Sequence, residues 1–172
     1  MKYAREHAVM RPTCGDRERA GRSRQVWPRP QRTFLSKVVG PQFETICRDW
    51  ARWEAEPDVP GGFPTRFVAW IVNDSAAGTQ HEVDVAVFGR DEQGGGKLLA
   101  IGEAKWHGTV GTGHLRRLAH VRGLLRVRDG VRADRCRLLL FSGGGFADDL
   151  RSVAATDLGV QLVDLDSLYA AN

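Results

Sequence analysis

The sequence predicts a single α/β domain with a mixed central sheet and helices on both faces. Three observations predict it. Phe43, Ile46, Cys47, Trp50 and Trp53 recur at helical spacing and form one apolar face. "HEVDVAVF" at 81–88 alternates, and the glycine-rich "GRDEQGGG" joins it to a second apolar run at 97–105. "RCRLLLFS" at 135–142 has an unbroken apolar centre, the pattern of a strand covered on both sides.

The elements follow in order. Pro41 suits the start of the first helix, and Pro57 stops it. "EPDVPGGFP" is a loop by its proline and glycine content, and "RFVAWIV" at 66–72 is a short strand. Along 81–88, Val83, Val85 and Val87 are expected on one face and Glu82, Asp84 and Ala86 on the other. A second helix spans 113–128, with Leu115, Leu118, Val121 and Leu125 as its buried stripe. After the strand at 135–142, "SGGGF" is a turn in which Gly145 permits positive φ. "FADDLRSVAAT" is then a short helix, "VQLVDL" a last strand, and a brief turn or helix ends the chain. Trp50, Trp53 and Trp70 read as core, and Trp106 as packed.

The 172 residues suffice for one domain with a proper core, and 42% hydrophobic with 27% charged residues is ordinary for a globular protein. No apolar run approaches the roughly 18 residues of a membrane span, and no apolar stretch follows the N-terminal arginines as in a secretory signal. The cytoplasm is the expected compartment. Cys14, Cys47 and Cys136 are far apart and odd in number, which argues against a disulfide framework or a structural zinc site. The net charge of +4 is uneven: residues 1–33 carry nine Lys/Arg against three acids, a net of +6, and the rest of the chain is at −2. Residues 1–33 therefore read as a flexible basic segment before a domain at 34–172. Such an arm either contacts phosphates or is a solvated leader, and its composition favours the leader.

The candidate site lies in "LLAIGEAKW", 98–106, which sets Glu103 and Lys105 into the end of the most apolar run. Unpaired charges are seldom buried. In a strand, i and i+2 share a face, so Glu103 and Lys105 point the same way. If this strand pairs with 81–88 as a hairpin, Asp84 comes close to both. Neighbouring carboxylates raise each other's pKa, and a divalent cation removes the conflict. Each residue alone reads more simply as part of a structural ion pair; taken together they favour a metal site. Glu82 is expected at the rim.

"EVDV … GEAKW" resembles the D-x(n)-E-x-K signature of the PD-(D/E)XK nuclease superfamily, the restriction-endonuclease-like fold, whose αβββαβ core is the order read above. "GPQFE" is similar to the helix segment by which many members place a further acid, here Glu44. More narrowly, "VGPQFETICRDW", "EVDVAVF", "IGEAKW" and "FSGGGF" resemble the uncharacterised C-terminal domain of archaeal-type (DEXX-box) ATPases, which are prokaryotic proteins. The resemblance covers roughly residues 34–150. It implies a nuclease acting on DNA with Mg²⁺ or Mn²⁺. Asp84 and Glu103 would be metal ligands, Lys105 the catalytic lysine, and Glu44 an accessory acid and ligand.

The resemblance also implies partners: DNA, a separate ATPase and, by analogy with enzymes that cut two strands, a second copy of the chain. Arg116 and Arg117 of the second helix are the candidate phosphate contacts; with His120 they read as lying opposite the leucine stripe, where a charged outer face is the plainer account. The chain departs from the pattern in three ways. "GGGKL" is no P-loop, since Asp91 stands where the first glycine belongs and Leu98 replaces Ser/Thr. The second helix lacks the glutamine some of these nucleases carry. Much of the ATPase-linked family has no established activity, so a catalytically inactive nuclease-like module, binding nucleic acid or serving a P-loop ATPase, is the alternative.

Overall fold

The computed structural model describes residues 35–56, 58–90, 96–127, 132–133 and 135–170. The basic segment 1–33 and most of the "GRDEQGGG" connection lie outside the described residues. The chain divides into two compact units, 1–43 and 44–172. Of the first, the described residues form a π-helical turn, Leu35–Val39, and the opening residues of helix α1, Gly40–Trp53.

The second unit continues α1 into strands β1 (Pro64–Asp74), β2 (Thr79–Arg90) and β3 (Gly96–Lys105), helix α2 (Thr112–Arg126), strand β4 (Arg137–Ser142), helix α3 (Asp148–Thr156), strand β5 (Val160–Asp164) and a last helical turn, α4 (Leu165–Tyr169). The five strands lie in sequence order. β1–β2 and β2–β3 pair antiparallel, while β3–β4 and β4–β5 are parallel. The mixed sheet and the αβββαβ order are those the sequence predicts. The two parallel pairs need crossovers, and α2 and α3 supply them.

Helices cover both faces. Ile101, Leu138 and Leu140 pack with Leu118, Val121 and Leu125 of α2 and Leu150 of α3. Phe141 alternates with Leu140 and so turns to the opposite face, where Trp50 of α1 meets its ring edge-on at 5.9 Å. Cys47 and Leu139 are fully buried. Burial raises the Cys47 thiol pKa and pushes Cys136 up to about 12, so both thiols stay protonated. Among the described residues no helix is long and apolar enough to cross a membrane.

Two expectations are corrected. Trp53, the last residue of α1, is 73% exposed rather than core. The strict alternation of 81–88 also fails. Val68 pairs with Ala86 but Trp70 with Val83, so β2 holds one residue more than β1 between these pairs. That bulge, at Asp84–Val85, puts Val83 and Ala86 into the same core cluster. Trp70 is half-buried against Phe88.

Beyond β3 the "SGGGF" turn closes over the strand end. Gly143 N–H donates to the Lys105 carbonyl at 2.9 Å. A Cβ on Gly144 would lie 2.4 Å from the Gly108 oxygen, so only glycine lets the two backbones approach this closely. Gly145 has φ +85°, as its place in the turn predicts.

Candidate active site

The bulge in β2 shapes the candidate site. The β2–β3 ladder runs from Arg90↔Gly96 to Val85↔Gly102 and stops, leaving the backbone groups beyond it to find other partners. Asp84 supplies one with its side chain: its carboxylate, in a residue only 8% exposed, accepts the Ala104 N–H at 2.8 Å. Ala104 is the residue between Glu103 and Lys105. The Asp84 carbonyl in turn accepts from Arg48 Nη1 of α1 at 2.8 Å, and Arg48 Nη2 donates to Thr45 Oγ1. Glu44, one helical turn before Arg48, thereby lies on the face of α1 nearest Asp84.

Glu103, 4% exposed, is paired on both oxygens. Oε1 lies 3.2 Å from Lys105 Nζ, and Oε2 accepts from Arg117 Nη1 at 2.8 Å. Arg117 Nη2 also donates to the Glu82 carbonyl at 2.9 Å. The guanidinium thus bridges the second helix to two strands, with one nitrogen on a carboxylate and the other on a backbone carbonyl. Lys105 is partly exposed and leads from the buried pair to solvent.

The electrostatics are uneven. Burial raises the pKa of Asp84 above the usual carboxylate range, and the negative charges of Glu103 and Glu82 add to this; the Ala104 N–H and Lys105 oppose it. Glu44 is also raised, by burial first and next by Asp84, against Arg48. Glu103 therefore has its counter-charges, whereas Glu44 and Asp84 have fewer than they need. The donor set is oxygen throughout, the type a hard divalent cation takes, but the donor atoms of Glu44, Asp84 and Glu103 do not all lie within 4.8 Å of one another.

Several partners escaped the sequence reading. Arg48 stands four residues after Glu44, a helical spacing that could have flagged it. Arg117, expected on the outer face, turns to the sheet and holds Glu103, while Arg116 is exposed and reaches Thr112 Oγ1 at 3.4 Å. Glu82 is exposed, and Trp106 is half-buried with its ring 2.7 Å from where a Gly143 Cβ would lie. Asp74, His81 and His120 form a further cluster. Among the described residues they are the one group of three or more His, Cys, Asp or Glu whose donor atoms all lie within 4.8 Å of one another.

These elements define a mixed-sheet α/β protein with buried carboxylates gathered where an antiparallel ladder ends beside a parallel one. No known family matches the chain, and no curated protein does. Among solved structures the chain is similar to one described as EndoMS in apo form, with 14% identity and a TM-score of 0.41. The match covers 73% of this chain and 45% of that one, so the chain spans less than half the length of its structural neighbour.

Proposed function

We propose that this chain is a metal-dependent nuclease of the PD-(D/E)XK type, hydrolysing phosphodiester bonds in DNA. The observation that carries the reading is the meeting of Asp84, which accepts the Ala104 N–H, with Glu103 and Lys105 on either side of that residue; the raised carboxyls of Asp84 and Glu44 support it. Acids perturbed in this way gather at functional sites. Asp84, Glu103 and Glu44 would hold Mg²⁺ or Mn²⁺. Bound there, the ion would neutralise charge on the phosphate and acidify an attacking water. Lys105, partly exposed beside Glu103, orients the nucleophile or meets charge developing on the phosphate. Arg117 is a positioning residue acting through Glu103. Arg116 supplies a phosphate contact, and a homodimer would present two such sites to a duplex.

One observation favours a second reading. Both Glu103 oxygens are already ion-paired, which neutralises that carboxylate without any metal. On this reading the chain is an inactive module that binds nucleic acid or serves a separate P-loop ATPase.

The test is incubation of the full chain with duplex, single-stranded and branched DNA and Mg²⁺ or Mn²⁺, beside Asp84→Asn and Lys105→Ala. The nuclease reading expects cleavage that needs the metal and falls by roughly 100-fold or more in either variant. Equal cleavage by all three proteins overturns it. So does the absence of both cleavage and calorimetric Mg²⁺ or Mn²⁺ uptake, and DNA binding retained under those conditions supports the module.

A further inference from the structure

The tip of the β1–β2 hairpin carries a second cluster of different chemistry. The register Val72↔His81 and Asp74↔Thr79 places Asp74 and His81 diagonally on one strand pair. His120 approaches from α2, one helical turn beyond Arg117. Asp74 is 4% exposed although it ends its strand. Its Oδ1 accepts the Ala77 N–H at 3.0 Å, which fixes the carboxylate plane. Its Oδ2 faces both imidazoles, 2.8 Å from His120 Nε2 and 3.6 Å from His81 Nε2. The two rings meet edge to face at 5.4 Å.

A hydrogen-bonded triad accounts for only part of this. His120 and Asp74 satisfy each other, but the buried Nε2 of His81 has no hydrogen-bond partner among the described residues, and 3.6 Å is beyond hydrogen-bond reach. A buried polar atom left unmade is costly, and each such atom calls for an explanation. An ion bound at about 2.0–2.1 Å by tetrahedral N and O donors holds them about 3.3 Å apart, and the two observed separations bracket that spacing.

We propose that Asp74, His81 and His120 bind a first-row transition-metal dication, Zn²⁺ foremost, through Oδ2 and the two Nε2 atoms. Two imidazoles and one carboxylate are borderline donors suited to Zn²⁺, unlike the all-oxygen set around Asp84. The Ala77 N–H supplies the outer hydrogen bond that orients the carboxylate ligand. His120 is 53% exposed, so the fourth position opens to solvent and takes a water or an exogenous ligand. The ion clamps the hairpin tip to α2, and the site stands whether or not the chain cuts DNA.

The experiment is a titration of the metal-stripped full chain with Zn²⁺ and, separately, Mg²⁺, in competition with a chromogenic chelator. Co²⁺ serves as a spectroscopic substitute, and thermal melts are recorded with and without Zn²⁺. The expected result is one Zn²⁺ per chain removed by His120→Ala, an intense visible Co²⁺ band of tetrahedral type, and a Zn²⁺-dependent rise in Tm. His120→Ala and His81→Ala should each weaken binding by roughly 100-fold or more, as loss of one of three protein ligands does. His114→Ala, on the same helix, should bind as the wild type does. Because His120 is exposed, its alanine variant keeps the fold, as circular dichroism will show. Unchanged Zn²⁺ affinity in both His120→Ala and His81→Ala overturns the proposal, and so does Mg²⁺ displacing Zn²⁺ at comparable concentration.

Discussion

Asp74 and Asp84 sit on the same hairpin, both are buried, and their environments push them in opposite directions. At the tip, the His120 hydrogen bond and the Ala77 N–H hold the Asp74 carboxyl below its ordinary value. At the bulge, burial drives Asp84 up, and its nearest charges include two further acids. The first acid is ringed by donors. The second is desolvated beside two like charges, and one backbone N–H with Lys105 does not compensate it. Burial alone therefore does not set the direction of a carboxyl's shift; the groups it is buried among do.

The largest test removes the residue that links the two ends. Arg117 pairs with Glu103, reaches the Glu82 carbonyl and stands three residues before His120. Arg117→Ala leaves Glu103 buried with Lys105 as its remaining counter-charge. Breaking a fully buried pair costs about 3–5 kcal/mol; the guanidinium here is over one-third exposed, so a loss of about 2 kcal/mol is expected in chemical denaturation. An unchanged midpoint would show that Glu103 is held by Lys105 alone.

Gly144→Ala breaks the Asp84 end by shape rather than charge. Its new methyl group meets the backbone of Gly108, which cannot rotate away, and the "SGGGF" turn no longer closes over the end of β3. A loss of about 1–3 kcal/mol is expected, with the hairpin tip unaffected in amide exchange. Equal loosening at the tip would show that the two ends are one cooperative unit.

The sharpest comparison is between two asparagines. In chelator at neutral pH, Asp84→Asn should raise stability by roughly 1 kcal/mol, because it removes a disfavoured charge and keeps an acceptor for the Ala104 N–H. Asp74→Asn should lower stability. The sign for Asp84 follows from its raised value. Between the unfolded and folded pKa values the folded state holds more protons, so the wild type gains stability as pH falls through that window. The variant does not, and the gap between them closes in acid. A destabilised Asp84→Asn would make the carboxylate a structural acceptor and undercut its part in a metal site.

The fold was legible because its signals are local. The alternation of 81–88, the unbroken run at 138–141 and the leucine stripe of α2 each report their own element. So was the nearness of Asp84 to Glu103 and Lys105, since one hairpin relates them. The bulge was not, because nothing in "EVDVAVF" says that β1 runs one residue short against it. Arg117 was missed because helical periodicity sorts residues into inward and outward, and a long side chain at the border reaches either way. The Asp74, His81 and His120 cluster joins three elements with no shared spacing, so only tertiary packing reveals it.

A third aspartate calibrates the other two. Asp164 caps α4, its Oδ1 accepting from Ser167 N–H at 2.9 Å and from Ser167 Oγ at 2.8 Å. Those two bonds hold its carboxyl below the ordinary value, the same direction as Asp74 but without a histidine or a metal-binding geometry. Asp164→Ala should cost about 1 kcal/mol at neutral pH, the scale of a lost N-cap. A lowered carboxyl stabilises fully above its unfolded pKa and loses that contribution as pH falls through its folded value. The difference between wild type and variant should therefore shrink in acid, where that for Asp74→Asn shrinks as well and Asp84→Asn loses an advantage instead. Melts of the three variants across that range separate carboxylates that hold the fold from the one the fold holds against its preference. If Asp84 followed Asp164 in sign, the contrast between the two ends of the hairpin would fail.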